Sequence, residues 1–282
     1  MAPASFSRPA SVAEALALLA DPATTPLAGG TDYFANRVGQ LPGGRLVDLS
    51  GVDALKGIRL QADDSWRIGA ATTWTAVLRA ELPPAFDGLK LAAREVGGVQ
   101  IQNCGTVGGN LCNASPAADG VPPLLALDAA VELAGEAGTR RLPLGEFIIG
   151  PRRTARRPDE LLTAVIVPAR ASRGRSHFAK LGARRYLLIS IVMAAANVEV
   201  GPQGRIVRAA VAVGACSPVA RRLPALEARL TGMAATGVAG LRLQESDLQG
   251  LDPIDDIRAT RAYRIDAATE LVRRVLVQSC RP

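Results

Sequence analysis

Histidine is almost missing from this 282-residue chain, which holds only His177, and its four cysteines, Cys104, Cys112, Cys216 and Cys280, are scattered without a CxxC pair. That excludes a disulfide framework and a cluster- or zinc-ligating motif, so the cysteines are expected as thiols. One imidazole also leaves too little to build a protein-ligated metal site or a histidine-based triad. Any redox chemistry must therefore come from an organic cofactor. Aromatic residues make up 4% of the chain, too few for base-stacking platforms. No uninterrupted apolar run reaches about 18 residues. The opening Met-Ala-Pro-Ala-Ser-Phe-Ser-Arg-Pro has no apolar segment of signal-peptide length, so a cytoplasmic protein without a membrane span is expected.

What is present suits a globular protein: 48% hydrophobic and 21% charged residues, enough for two cores. The formal net charge is +7. The arginines are dispersed apart from Arg152, Arg153, Arg156 and Arg157, which favours a solvated basic face over a nucleic-acid surface.

Short helical and strand patterns alternate, which gives an α+β or α/β class. Ser11 with Glu14 three positions on reads as a capping box that opens a helix to Leu19. Further helices are expected at Thr73–Ala80, Leu89–Val96, Pro122–Leu127, Arg221–Leu230 and Ala259–Val277, and strands at Arg45–Leu49, Trp66–Ala70, Ala130–Leu133, Leu162–Pro168, Ile189–Val200 and Ile206–Val213. Gly97–Asn113 reads as a glycine-rich loop segment. Ala169–Ser176, small and basic, reads as a linker.

Two segments stand out: Leu27-Ala28-Gly29-Gly30-Thr31-Asp32 and Thr106-Val107-Gly108-Gly109-Asn110. Each joins paired glycines to a hydroxyl residue, so backbone can approach a ligand closely and present successive N–H groups, as a pyrophosphate requires. A helix starting after Thr31 would add its positive dipole end. Neither segment is a GxGxxG or GxxxxGK[ST] loop, so any nucleotide binds by another architecture.

With Val99-Gln100-Ile101-Gln102-Asn103 before the second segment and Ala114-Ser115-Pro116-Ala117-Ala118-Asp119 after it, the chain resembles the FAD-carrying medium subunit of the xanthine dehydrogenase and carbon monoxide dehydrogenase family. The likeness continues through Gly150-Pro151-Arg152, Pro158-Asp159-Glu160-Leu161-Leu162, Phe178-Ala179-Lys180 and Ser217-Pro218-Val219-Ala220-Arg221, and so covers nearly the whole chain. It implies an α+β fold. Residues 1–172 would form a vanillyl-alcohol-oxidase-type FAD-binding domain of two subdomains that break near 55–60. Residues 173–282 would form a C-terminal domain of the CO dehydrogenase flavoprotein type, a three-stranded antiparallel sheet with helices.

The resemblance also implies site residues. Ala28, Gly29, Gly30, Thr31 and Asp32 would form the first pyrophosphate loop, and Thr106, Gly108, Gly109 and Asn110 the second. Asp119 would anchor the ribose or adenine end, Leu162 would pack near the flavin, and Lys180 would sit by the polar edge of the isoalloxazine, where a cation can stabilise reduced flavin. A plain surface lysine is the other reading of Lys180. Tyr33 and Tyr186 are open to flavin or adenine stacking or to the core. Cys104 and Cys112 are expected as small buried thiols, and His177 as a structural histidine.

By the same resemblance the chain is an FAD-dependent oxidoreductase subunit of a molybdopterin dehydrogenase. It would take electrons from the [2Fe-2S] clusters of a small iron–sulfur subunit, beside a large molybdopterin subunit in a dimer of heterotrimers, and pass them to NAD, oxygen or a quinone. Two other readings stay open: a stand-alone FAD-dependent oxidase or reductase of the same fold, and a basic nucleotide- or RNA-binding module without redox chemistry.

Overall fold

The computed structural model describes residues 5–37, 43–183 and 189–281. Near the N-terminus three short strands, β1 (Ser5–Ser7), β2 (Thr24–Leu27) and β3 (Arg45–Asp48), form a parallel sheet in the order β1-β3-β2. Helix α1 (Val12–Leu19) crosses from β1 to β2, and α2 (Thr31–Ala35) follows β2. Ser11 caps α1 by accepting from the Glu14 amide at 3.1 Å, but Glu14 reaches back to the amide of Ala10, one residue ahead of the cap. The expected box is thus shifted by one residue at its carboxylate side. Ala15, Leu19, Val47, Leu49, Val52 and Leu55 make this sheet's own small core.

A second sheet, antiparallel throughout, has the order β4-β5-β10-β6-β7. Its strands are β4 (Ile58–Leu60), β5 (Trp66–Gly69), β6 (Ala130–Gly135), β7 (Gly138–Pro143) and β10 (Leu161–Val167), and the two-stranded ribbon β8 (Ile148–Gly150) and β9 (Arg153–Thr154) lies between β7 and β10 in sequence. All seven residues of β10, Leu-Leu-Thr-Ala-Val-Ile-Val, are buried, as expected of a central strand with both faces covered. Leu161 packs into the core of the first sheet and Leu162 into that of the second, so β10 joins the two.

Helices α3 (Trp74–Arg79), α4 (Asp87–Glu95), α5 (Val99–Cys104), α6 (Val107–Asn113), α7 (Val121–Ala126) and α8 (Leu144–Phe147) cover this sheet and its edges. The segment read as a glycine-rich loop therefore holds two helices, α5 and α6. Glycine pairs and β-branched residues depress local helix propensity, and here capping and tertiary bonds override it: Thr106 caps α6, and the amides of Val107 and Gly108 donate to the Thr72 and Ala70 carbonyls.

The C-terminal region contains three long antiparallel strands, β11 (Arg175–Leu181), β12 (Val192–Val200) and β13 (Ile206–Gly214), and a two-residue fourth strand β14 (Arg221–Arg222) at the edge. Helices α9 (Pro224–Leu230) and α10 (Arg261–Ser279) cover one face, packing Leu226, Leu230, Leu271, Val272, Val275 and Leu276 against Val192, Ala194, Ala196, Val211 and Val213. The expected linker is shorter than its composition suggests. Only Ala169–Ser172 is a helical turn, and β11 begins at Arg175. Ser176 and Phe178 alternate inward, and the Ser176 hydroxyl accepts from the Gly88 amide at 2.7 Å.

The opposite face of this sheet is not free. Phe178, Met193, Ala195 and Ala210 close over Ala92 of α4 and Ala126 of α7 in a shared core. Asp128, just past α7, adds an ionic bond across the same seam, with Arg208 of β13 and Arg222 of β14 each 2.7 Å away. Among the described residues no helix is long and apolar enough to cross a membrane.

Candidate functional site

The two glycine loops meet. A Cβ added at Gly29 would lie 1.9 Å from the carbonyl oxygen of Cys104, the residue that ends α5, and one at Gly108 would lie 2.7 Å from the Ala70 Cβ and carbonyl oxygen. These glycines are thus demanded by backbone packed against backbone. Gly30 has another reason: its φ of +66° is left-handed, and it turns the chain into α2.

A cleft with a volume of about 680 Å³ opens where the loops meet. Ala28, Gly29, Gly30, Thr31, Asp32, Thr106, Gly108, Gly109, Asn110 and Leu162 line it. Asp119 and Lys180 do not. Lys180 Nζ, on β11, bonds Asp119 Oδ2 at 2.8 Å and the Glu95 carbonyl at 3.3 Å, and Ser190 Oγ donates to Asp119 Oδ1 at 2.8 Å. Both members of the pair are about nine-tenths buried, so Lys180 is not a surface lysine. Burial pushes the Asp119 carboxyl up from its ordinary range, against the pull of Lys180 and Ser190. Because the two side chains touch, direct contacts from them to opposite ends of one extended dinucleotide are not what this geometry offers.

The loops differ in what they present. Among the described residues the amides from Gly29 to Tyr33 have no protein acceptor, while those of Val107, Gly108, Gly109 and Asn110 are all taken, by Thr72 O, Ala70 O, Thr106 Oγ1 and Thr106 O. The expectation that both loops offer N–H groups therefore holds for the first alone. Helix α6 spends its amides on the protein, and its two glycines offer the cleft a wall without side chains. The helix after Gly30 is only five residues long, so the open amides themselves, rather than a helix dipole, are what this loop supplies. Asn110 also lines the cleft, while its Oδ1, without a hydrogen-bond partner among the described residues, is buried against Gly120.

Three guanidinium groups that the sequence reading left unassigned also line the cleft: Arg37, Arg152 and Arg156, against the carboxylates of Asp32 and Glu160. Arg37 lies over the Tyr33 ring, 3.8 Å from its centroid, an arrangement that fixes both side chains. Arg156 Nη1 donates to the carbonyls of Arg157, Pro158 and Glu160, and Arg152 reaches Asp32 Oδ2 at 2.9 Å. The Glu160 carboxylate is held by Arg140 at 2.6 and 2.9 Å, and the Arg140 bond keeps it below the usual carboxylate range. Leu49, Leu55, Val96, Ile101 and Trp74 complete the lining with apolar surface. Tyr33 lines the cleft, whereas Tyr186 falls outside the described residues.

The cysteine expectation needs correcting. Cys104 and Cys112 are exposed, Cys112 in the cleft itself, and Cys216 is the buried thiol. His177 is half-buried on β11, and loss of hydration lowers its pKa below the ordinary histidine value. No group of acidic, histidine or cysteine side chains able to hold a metal occurs among the described residues.

A cleft with open amides, cations and an apolar wall suits a dinucleotide with a flat ring system, and sequence comparison agrees. Residues 2–170 match the FAD binding domain in molybdopterin dehydrogenase, and residues 177–279 match the CO dehydrogenase flavoprotein C-terminal domain. The chain belongs to the FAD-binding subunit family of the molybdopterin dehydrogenases. The xanthine dehydrogenase FAD-binding subunit of Escherichia coli O157:H7 is 31% identical over 281 residues, which cover 98% of this chain and 96% of that one. The nicotinate dehydrogenase FAD-subunit of Eubacterium barkeri is 34% identical over 212 residues, 71% of this chain and 70% of that one. Among solved structures, a carbon monoxide dehydrogenase from Hydrogenophaga pseudoflava superposes with a TM-score of 0.85 at 26% identity, covering 98% of this chain and 97% of the other. Members of this family are oxidoreductase subunits, and the chain is a flavoprotein medium subunit of that kind.

Proposed function

We propose that this chain binds one FAD non-covalently in the cleft and serves as the electron-transfer subunit of a molybdenum hydroxylase complex. The observation that carries the proposal is the run of open amides from Gly29 to Tyr33 in a cleft whose wall is bare at Gly108 and Gly109. Open amides in a concave, partly apolar site suit a bound pyrophosphate. FAD brings the ability to exchange both single electrons and electron pairs.

The chain's own residues bind and shape. Ala28, Gly29, Gly30, Thr31 and Asp32 hold the pyrophosphate through backbone. Thr106, Gly108, Gly109 and Asn110 supply a wall that is bare at the two glycines, and Leu162 with Trp74 keeps water from the ring system. Asp119 and Lys180 act as a buried pair that braces the site. In the proposed assembly a small subunit with [2Fe-2S] clusters delivers electrons, a large molybdopterin subunit performs the substrate chemistry, and NAD, oxygen or a quinone receives the electrons. The complex forms a dimer of heterotrimers.

The test is anaerobic addition of an oxidisable heterocycle or aldehyde. In the purified flavin-loaded chain the oxidised-flavin absorbance should stay unchanged, and in the purified complex it should bleach. Rapid bleaching of the lone chain would make it a self-sufficient flavoenzyme, and a colourless protein that takes up no FAD would remove the reading altogether.

A further inference from the structure

Arg152 combines features that its place in the sequence does not announce. Its backbone is left-handed, with φ +59°, although it carries a Cβ, a conformation that persists only where its surroundings enforce it. Arg152 is the second residue of the two-residue Pro151-Arg152 turn that joins β8 to β9, and its amide donates at 2.9 Å to the carbonyl of Ala114, itself left-handed at φ +46° at the end of α6. Held this way, the side chain crosses the cleft. Nη1 donates to Asp32 Oδ2 at 2.9 Å and to the Asn113 side-chain oxygen.

The placement of Asp32 poses an electrostatic problem. Its carboxylate follows Gly29, Gly30 and Thr31 directly and lines the same cleft as their open amides, so a pyrophosphate seated on those amides would lie beside a like charge. The other cleft arginines are engaged elsewhere, Arg37 on the Tyr33 ring and Arg156 on three carbonyls. The Arg152–Asp32 pair is about half exposed on both sides, so it adds little to folding stability. The turn between β8 and β9 accounts for the left-handed backbone, but it does not call for a guanidinium aimed at Asp32.

We infer that Arg152 is a positioning residue for cofactor binding: its guanidinium neutralises the Asp32 carboxylate and so permits an anionic pyrophosphate to occupy the first glycine loop. This rests on the reading of the cleft as the FAD site. Asp32 also accepts from Asn36 Nδ2 at 3.3 Å, a second contact that keeps its carboxylate beside the loop.

The experiment is FAD affinity, read by quenching of flavin fluorescence on titration into stripped protein, for the parent, Arg152→Met, Arg152→Lys, Asp32→Asn and the double variant Asp32→Asn/Arg152→Met, at low and high salt. Thermal unfolding of the stripped proteins is measured in parallel. Arg152→Met should weaken FAD binding on the order of tenfold at low salt, as expected for one uncompensated, half-solvated charge, and less at high salt. Arg152→Lys should recover part of the loss, and removing the carboxylate as well should recover most of it, with all the stripped proteins unfolding at similar temperatures. A double variant as weak as Arg152→Met would overturn the inference and make Arg152 a direct phosphate ligand, and parental affinity in Arg152→Met would overturn it outright. A parent protein that binds no FAD would instead refute the underlying reading of the cleft.

Discussion

Lys180 and Asp119 are the residues at which a buried charge decides most. Removing one partner of a buried ion pair leaves the other uncompensated, at a cost of about 3–5 kcal/mol. Lys180→Met should accordingly lower unfolding stability by about that amount, measured by urea denaturation. Asp119→Asn added to it should return much of the loss, because the remaining amide can still bond Ser190 Oγ. If the single variant unfolds like the parent, the pair carries no such burden. The contact between Lys180 and Asp119 was not legible in the sequence, where 61 residues separate them. The same holds for Arg152, whose guanidinium meets Asp32 across 120 residues. Glycine pairs could be recognised because a local pattern carries them, whereas the cations that serve them arrive from distant turns.

At the scale of elements, α6 shows how a short helix with two glycines survives. Thr106 supplies the cap, and its Oγ1 accepts from Gly109 at 3.0 Å. Thr106→Ala should cost about 1 kcal/mol of stability and release the Gly109 amide into the cleft wall. The expected outcome is a lower midpoint in chemical denaturation together with faster hydrogen exchange at Gly109, and unaltered exchange there would dismiss the cap. A Cβ at Gly109 would come within 2.9 Å of that same hydroxyl, so a branched side chain at this position breaks the cap as well as crowding the wall. The sequence reading anticipated the helix after Ser11 from its polar cap and a helix over Thr73–Ala80, where Thr73 proves to be the cap. It missed α6 because its first amides are held by the Thr72 and Ala70 carbonyls, which no local pattern reveals, and it read α5 as part of the same loop. It also took the start of β11 for linker, since arginine, serine and glycine there outweigh the inward alternation of Ser176 and Phe178.

At the scale of the whole molecule, the C-terminal sheet is fastened to the rest by a shared apolar core and by Asp128. Desolvation would raise the Asp128 carboxyl, but the bonds from Arg222 and Arg208 prevail and hold it below the ordinary carboxylate value. A depressed carboxylate contributes stability that is present above its unfolded pKa and lost as pH falls through the folded one. Asp128→Asn should therefore reduce stability near neutrality by about 1.5–3 kcal/mol, with the gap from the parent closing as pH drops below about 4. Urea denaturation across that range measures it, and a gap that persists at low pH would assign the effect to packing. The seam between the C-terminal sheet and helices α4 and α7 was not legible in the sequence, because Ala92, Ala126, Met193 and Ala195 are ordinary small or flexible residues in their own segments.

The abutment of Gly29 on the Cys104 carbonyl bears on the thermodynamics of loading. Two loops already locked together need little ordering when a ligand arrives, so the entropic penalty that usually erodes affinity is met during folding rather than at binding. The cleft then behaves as a lock cut in advance, its shape set before any ligand reaches it.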